Sequence, residues 1–344
     1  MSVAVQEQQT VGVREIGPLR RFLNRPEVGS IVGLVLVWGF FAITAGGSGF
    51  LSVDGAANYL DVAAQFGIVA SAVTLLMIGG EFDLSIGSMV GFGGMLLAIA
   101  LGAWGWPLWL AILATFVFAL AIGFINGFLV VRTGLPSFIV TLAMLFSLRG
   151  AAIAFSRGVL GRPQFGLDQL TISDPLARVF SGHIGIFSVG ILWWIGLAIL
   201  ATYILNRTVF GNWIFGSGGS ASAARALGVP VARVKVLLFM ATSACAALLA
   251  VHQVLDLGAA DALRGEGKEF EAVIVTVIGG AVLFGGYGSP IGSVLGAITL
   301  GIVSQGLIFL GIESDWYQAV LGVLLLLAVL INNYIRARAS ESHR

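Results

Sequence analysis

The chain has 344 residues, of which 58% are hydrophobic and 10% are charged, and its formal net charge is +1. A soluble domain carries roughly 25% charged residues, so the composition argues against a soluble protein, and the near-neutral charge argues against a nucleic-acid partner. The single cysteine, Cys245, excludes an intrachain disulfide.

The apolar segments predict an all-α membrane protein. Backbone polar groups in lipid must be satisfied within the protein, which leaves a helix bundle or a closed barrel. Barrel strands alternate apolar and polar residues over about 10 positions, whereas the segments here are continuously apolar and approach the roughly 20 residues of a spanning helix. We therefore expect a polytopic bundle of about ten transmembrane helices.

In chain order, a polar segment (residues 1–27) precedes a single transmembrane domain (28–333), and a polar segment (334–344) follows it. The predicted spans are 28–47, 59–80, 86–103, 107–131, 137–155, 185–205, 235–256, 271–284, 289–311 and 315–333. We expect the second, third and eighth to be interrupted or short. Residues 1–27 do not resemble a cleavable signal peptide, because the apolar stretch that follows them is too long.

The basic residues predict that both termini lie in the cytoplasm. With the N-terminus inside, the segments on the inner side hold twelve of the eighteen Lys and Arg residues, as the positive-inside rule requires. An even number of spans returns the C-terminus to the same side. Residues 1–27 and 334–344 are therefore predicted to be cytoplasmic tails.

A helix break is predicted between the second and third spans, where Glu81, Asp83, Ser85 and Gly87 interrupt the apolar sequence. Charge inside a membrane usually faces a cavity, a partner or an interface, so the break is a candidate gate of a translocation path. Ser85 is expected to cap the following helix. The alternative is a tight inner loop with helix caps and no further role.

The glycines of this break have a counterpart late in the chain. Ile78-Gly79-Gly80 and Ile278-Gly279-Gly280 each precede an Ile-Gly-Ser segment, at 86–88 and 291–293. Transporters are often duplicated, with broken helices at matching positions, but small-residue repeats also arise from close helix packing. Both interpretations stay open.

Four polar residues within the spans are candidates for the lining of a pore. They are Asn126, Ser137, Thr141 and Ser304. The alternative is that they form hydrogen bonds between helices.

The inner loop at about 207–235 is predicted to carry a short helix. Gly216 to Gly219 are expected to be flexible, Ser220 is a plausible N-cap, and Gly228 with Pro230 ends the helix. Such a helix on the cytoplasmic side could dock on a soluble partner. The candidate docking residues are Gly219, Ser220, Ala223, Ala224, Arg225, Leu227 and Gly228.

Enzyme motifs are weak in this sequence. A phosphate-binding loop requires Gly-Lys-Ser or Gly-Lys-Thr, but Lys235 and Lys268 are followed by Val and Glu. The three histidines do not have metal-ligand spacing. No catalytic residue, metal site or bound cofactor is predicted, so ATP, if it drives the protein, binds to another chain.

Taken together, these segments resemble the ribose-type permeases of bacterial ABC importers for monosaccharides, a family that also includes autoinducer-2 permeases. The matching stretches are Gly80 to Ser88, Asn126-Gly127 with Arg132 to Leu142, Gly218-Gly219 with Ala223 to Val229, and Gly279-Gly280 with Gly285 to Ser289, Gly292-Ser293 and Gly296. They occur in the family's order and cover about residues 60 to 333.

The resemblance implies a multi-pass protein of the bacterial inner membrane, surrounded by lipid, that forms a homodimer. It further implies two ATP-binding subunits that hold ATP and Mg, a periplasmic binding protein that delivers a sugar or polyol, and a coupling helix at about Ser220 to Gly228.

Three rivals remain. The same architecture could carry autoinducer-2 or branched-chain amino acids. An ion-coupled secondary transporter could use Glu81, Asp83 or Asp61 as its proton or sodium site. A membrane enzyme is disfavoured, because no residues pair a nucleophile with a base.

Overall fold

The structure is a computed structural model that describes residues 26–167, 174–313 and 315–341. Its α-helices are α1 (Pro26–Thr44), α2 (Val53–Ile78), α3 (Ile86–Gly102), α4 (Leu108–Thr133), α5 (Ser137–Leu160), α6 (Ala177–Phe180), α7 (Val189–Arg207), α8 (Val209–Gly219), α9 (Ala221–Ala226), α10 (Val231–Leu257), α11 (Lys268–Ile278), α12 (Pro290–Phe309) and α13 (Trp316–Glu341). A 3₁₀-helix, Gly46–Ser48, follows α1.

The strands are few and short. β1 (Gln164–Gly166) pairs antiparallel with β4 (Ala259–Asp261), and β2 (His183–Ile184) pairs with β3 (Phe187–Ser188). These strands and α6 occupy the connections after α5 and α10. The fold is therefore all-α and polytopic, as predicted.

Each of the ten predicted spans overlaps one of the helices α1–α5, α7 and α10–α13. Among the described residues, seven helices are long and apolar enough to cross a membrane, and α3 and the first part of α13 are shorter apolar helices. The third span is a 17-residue helix and the eighth an 11-residue helix, so both are short, as expected. The second span is not interrupted, because α2 runs unbroken for 26 residues and the break lies after its last residue.

Side-chain caps start several of these helices. The hydroxyl oxygens of Ser52, Ser188, Thr208, Ser220 and Ser289 each accept a hydrogen bond from a backbone N–H in the first turn. Such caps satisfy N–H groups that the helix itself leaves unpaired. Hydroxyl residues at the ends of apolar segments therefore mark where the helices begin.

Helices α2 and α10 form the centre of the bundle. In the apolar 18-residue stretch of α2, 83% of the residues are buried, compared with 11% in the corresponding stretch of α1. Helix α2 packs against α7, α10, α11 and α12, and α10 packs most extensively against α4. Small residues allow the close approach of α4 to α10, since Gly123 and Gly127 lie against the backbone of Val236 and Met240, as in small-residue helix contacts generally.

Helices α2 and α11 end in the same turn. After Ile78, the N–H groups of Gly79, Gly80 and Glu81 donate to the carbonyls of Leu75, Met77 and Leu76. After Ile278, the N–H groups of Gly279, Gly280 and Ala281 donate to the carbonyls of Val275, Val277 and Thr276. The sequence echo therefore corresponds to two equivalent helix breaks, each followed by a new helix, α3 or α12.

Candidate functional site at the helix breaks

The first break is organised around the buried carboxylate of Asp83. Its Oδ1 accepts hydrogen bonds from the backbone N–H of Ser85 at 3.0 Å and from the hydroxyl of Ser85 at 2.6 Å. Its Oδ2 accepts a hydrogen bond from Thr242 Oγ1 of α10 at 2.6 Å. Three donors thus stabilise a carboxylate that is 1% exposed, which is what a buried charge requires.

The predicted cap at Ser85 was wrong. The Ser85 hydroxyl donates to Asp83 and accepts from Asn126 Nδ2 of α4 at 2.8 Å, and its side chain makes no cap hydrogen bond to α3. Its backbone is already helical, with φ of −76° and ψ of −12°, whereas an N-cap residue is usually extended. The hydroxyl therefore joins the break to α4.

Helix α5 holds the other side of the break. The hydroxyl of Ser137 accepts from the backbone N–H of Phe82 at 3.0 Å, and Thr141 Oγ1 lies 3.5 Å from the carbonyl oxygen of Phe82. Three of the four candidate pore residues, Asn126, Ser137 and Thr141, are thus brought together around the break, where they form hydrogen bonds. Ser304 lies elsewhere, half-buried on α12 beside Tyr317.

Glu81 forms an ion pair with Lys235, in the second turn of α10. The pair borders a cavity of about 470 Å³ that is also lined by Arg225 and by the connection between α4 and α5 at Gly134 to Pro136. The two acids of the break therefore have different surroundings. Asp83 is enclosed by hydrogen-bond donors, and Glu81 is paired at the edge of a cavity.

Gly87, the last candidate of the break, is a contact residue. A Cβ atom at this position would overlap Glu269 Oε2 and the carbonyl oxygen of Gly265. The first turn of α3 therefore lies directly against the segment that leads into α11. This contact joins residues about 180 positions apart, so no local pattern indicates it.

The predicted short helix in the inner loop is confirmed as α9. Ser220 Oγ accepts from the backbone N–H of Ala223, as expected for the N-cap. Ala224 is buried, whereas Leu227, immediately after the helix and before Gly228, is 85% exposed. An apolar side chain exposed next to Arg225 is a suitable contact for a partner protein.

The expected flexible stretch before α9 was wrong. Gly216 to Gly219 form the last residues of α8, which begins at Val209 with a side-chain cap from Thr208. Glycine disfavours helix in isolation, but here packing against the helix breaks decides the conformation.

Four glycines join α8 to both breaks; we call them the glycine junction, Gly80, Gly218, Gly285 and Gly286. The Gly218 Cα lies 3.2 Å from a Cβ built on Gly80, and a Cβ on Gly218 would overlap the carbonyl oxygen of Ile78. The N–H of Gly286 donates to that same carbonyl at 2.8 Å. The sequence shows these glycines in separate motifs, and only the fold brings them together.

A second polar site, which the sequence analysis missed, lies at the start of α11. Lys268 is the first residue of α11, and its Nζ lies 4.7 Å from the ring centroid of Phe66, halfway along α2. Lys268 donates to Glu271 at 2.6 Å, and Arg149 of α5 pairs with Glu266 and Glu269. The sequence does contain a signal for this site, because acidic and basic residues lie one to three positions apart at 266–271.

Asp61, the remaining candidate ion site, lies on α2 and accepts from Gln65 at 3.5 Å, and Gln65 in turn accepts from Gln253 of α10 at 2.9 Å. Within the described residues, no group of three or more His, Cys, Asp or Glu side chains is arranged to hold a metal ion.

Comparison with known proteins identifies the architecture. The profile of a family described as "branched-chain amino acid transport system / permease component" matches residues 55–329. The probable ABC transporter permease YphD of Escherichia coli is 34% identical over 95% of this chain and 96% of its own length. The fructose import permease FrcC of Rhizobium meliloti is 30% identical over 94% of this chain and 89% of its own length. The ribose import permease RbsC of E. coli is 29% identical over 83% of this chain and 87% of its own length.

The matched region contains both helix breaks, the short helix α9 and the central helices α2 and α10. The chain therefore belongs to this family of ABC-transporter permease components and is a multi-pass protein of the bacterial inner membrane.

Proposed function

We propose that the chain is the translocating subunit of an importer for a monosaccharide or a related polyol. Relatives aligned over most of the chain are named for the import of fructose, ribose and xylose. A neutral polyhydroxyl substrate is also compatible with a break in which both acids already have partners within the chain.

The remaining parts of the system are supplied by other molecules. ATP and Mg bind to a separate ATP-binding subunit, a periplasmic binding protein delivers the sugar, and two copies of this chain enclose the path within the lipid. Both tails, 1–27 and 334–344, and the coupling loop at about 207–235 lie in the cytoplasm. The excess of basic residues in the predicted inner segments supports this orientation.

The observation that carries the proposal is the glycine junction. The exposed helix α9 follows α8 directly, and the backbone of α8 at Gly218 contacts the end of α2 and the connection between α11 and α12 at Gly286. Because the backbones touch directly at Gly218, a displacement of α9 by the ATP-binding subunit is transmitted to both breaks. Discontinuous helices commonly form the substrate pathway in transporters.

The gate consists of the first break, Glu81 to Gly87. Glu81 and Lys235 join the break to the start of α10, and Asp83 and Thr242 join it to the same helix further along. Movement of α10 relative to α4 and α5 therefore changes the position of residues 81–87. Asn126, Ser137 and Thr141 follow that movement through their hydrogen bonds to the break.

The test is co-purification with an ATP-binding subunit in mild detergent. The wild-type chain is expected to retain its ATPase, and the double variant Arg225→Glu, Leu227→Asp is expected to lose it. The control is Arg178→Glu, the same exchange of Arg for Glu at an exposed residue in the segment between α5 and α7, which is expected to retain the ATPase.

A wild-type chain that never retains an ATPase, yet moves substrate in liposomes under an ion gradient, would contradict the proposal and favour the secondary transporter. The description of the matched family also makes branched-chain amino acids a second candidate substrate. Uptake of leucine instead of ribose, xylose and fructose by the reconstituted complex would establish that alternative.

A further inference from the structure

The second polar site is a cluster of charged side chains halfway along the bundle. It consists of Arg149, Glu266, Lys268, Glu269 and Glu271, together with Tyr317. Arg149 lies halfway along α5, and Lys268 packs over Phe66, halfway along α2. This depth within apolar helices is where unpaired charge is most costly.

The internal ion pairs enclose two of the three carboxylates of the cluster. Arg149 donates to Glu266 at 3.1 Å and to Glu269 Oε1 at 3.4 Å, and Glu271 accepts from Lys268 and from the Tyr317 hydroxyl at 3.3 Å. Glu269 is only 2% exposed, and its Oε2 lies against Gly87 in the first turn of α3. The groups that an outside molecule can reach are therefore Glu266, Arg149 and Lys268.

The cluster also reaches the surface of the subunit. The side chains of Arg149 and Lys268 are 21% and 20% exposed, and that of Glu266 is 61% exposed. Lipid tails cannot solvate these groups, so this face borders water or another protein surface. A water-filled path between two subunits satisfies this requirement.

We infer that this cluster is the wall of the translocation path that contacts the hydroxyl groups of the sugar, an inference that rests on the proposed function. Three carboxylates face two cations, so an anionic substrate is repelled. A neutral polyol can donate to the exposed carboxylate of Glu266, and it can accept from the remaining N–H groups of Arg149. Weak contacts of this kind suffice, because the binding protein supplies affinity.

The first experiment measures access of water and sugar to this face in the whole transporter, reconstituted in lipid. In a Cys245→Ala background, Gly150→Cys places a thiol beside Arg149, where a built Cβ meets no atom within 4 Å. The matched control is Ile199→Cys, 65% exposed and halfway along α7, where lipid is expected. The probe is a charged methanethiosulfonate, applied with and without nucleotide.

We expect the thiol at position 150 to react and the thiol at position 199 to resist. The sugar that the wild-type complex transports, tested among ribose, xylose and fructose, should slow the reaction at 150. Equal resistance at both positions in every nucleotide state would overturn the inference. So would reaction at 150 that no transported sugar slows.

The second experiment measures the sugar moved per ATP hydrolysed. Glu266→Gln, which removes a contact to the sugar, and Glu269→Gln, which removes the charge that positions Arg149, are each expected to lower this ratio by about tenfold. Glu313→Gln, in the exposed connection after α12, is the control and should leave the ratio unchanged.

These outcomes are separable from failure of the proposed function. A wild-type complex without ATP-driven sugar uptake refutes the proposed function itself. A wild-type complex that transports sugar, with both glutamine variants unchanged, refutes only the site. Wild-type uptake that needs sodium or a proton gradient, with the requirement removed by Glu269→Gln, would show an ion site instead.

Discussion

Buried hydroxyl groups and carboxylates at the first break show how a charge is accommodated among apolar helices. Asp83 has three donors, of which two come from Ser85 within the break and one comes from Thr242 on α10. The residue thereby fixes both the local turn and its position against another helix. Removing one member leaves its partner buried and unsatisfied, which costs more than the net value of the hydrogen bond.

This network predicts a coupled loss of stability. Thr242→Val and Asp83→Asn are each expected to destabilise the protein by about 1–3 kcal/mol. Because the two residues share one interaction, the double variant should lose less stability than the sum of the two single losses. The measurement is the thermal unfolding midpoint in detergent. The matched control is Thr299→Val, since the Thr299 hydroxyl donates only to Leu295 of its own helix among the described residues. Additive losses would contradict the coupling.

At the scale of elements, the helices α2 and α11 end in the same hydrogen-bonded turn. Gly80 and Gly280 have φ of +83° and +87°, a region in which a side chain costs roughly 1–2 kcal/mol. Each turn directs the chain out of one helix and towards the next, α3 or α12. The two equivalent turns support an internal duplication of the chain more strongly than the repeated residues alone, because the hydrogen-bond pattern repeats as well.

The repeated turn predicts that Gly80→Ala and Gly280→Ala both lower the thermal midpoint. The cause is the same left-handed backbone at both sites, and Gly80 has in addition a tight contact with Gly218. Gly33→Ala, within α1 and without any atom within 4 Å of the added methyl group, should keep or raise the midpoint. Tolerance of alanine at either break would show that the turn can relax.

For the whole molecule, the glycine junction is the point at which the segment of α8 and α9 meets the interior of the bundle. The backbone of α8 contacts the carbonyl end of α2 and the turn at Gly285 and Gly286, and α9 projects from α8. Interiors that are this closely packed move as units. Helix α9, the proposed coupling helix, and both breaks should therefore change position together.

Gly218→Ala tests this connection. The added methyl group would overlap the Ile78 carbonyl oxygen and approach the N–H of Gly286, so we expect loss of sugar transport with the chain still inserted in the membrane. Gly216→Ala, two residues earlier in α8, meets only the Ala224 side chain at an ordinary distance of 3.5 Å and should transport normally. Equal transport by both variants would refute the junction as the coupling element. The readout is ATP-dependent uptake in liposomes at matched expression.

The helical class, the order of ten spans and the capped helix α9 could all be predicted from the sequence, because segment length, apolarity and caps are local properties. Local reasoning failed where packing overrides propensity: Gly216 to Gly219 are helical, and Ser85 binds Asp83 and Asn126 rather than capping α3. The glycine junction and the charged cluster at α11 join residues from distant parts of the sequence, such as Gly80 with Gly218 and Arg149 with Glu266. Their contacts depend on how the helices cross, and that geometry is decided only when the whole bundle packs.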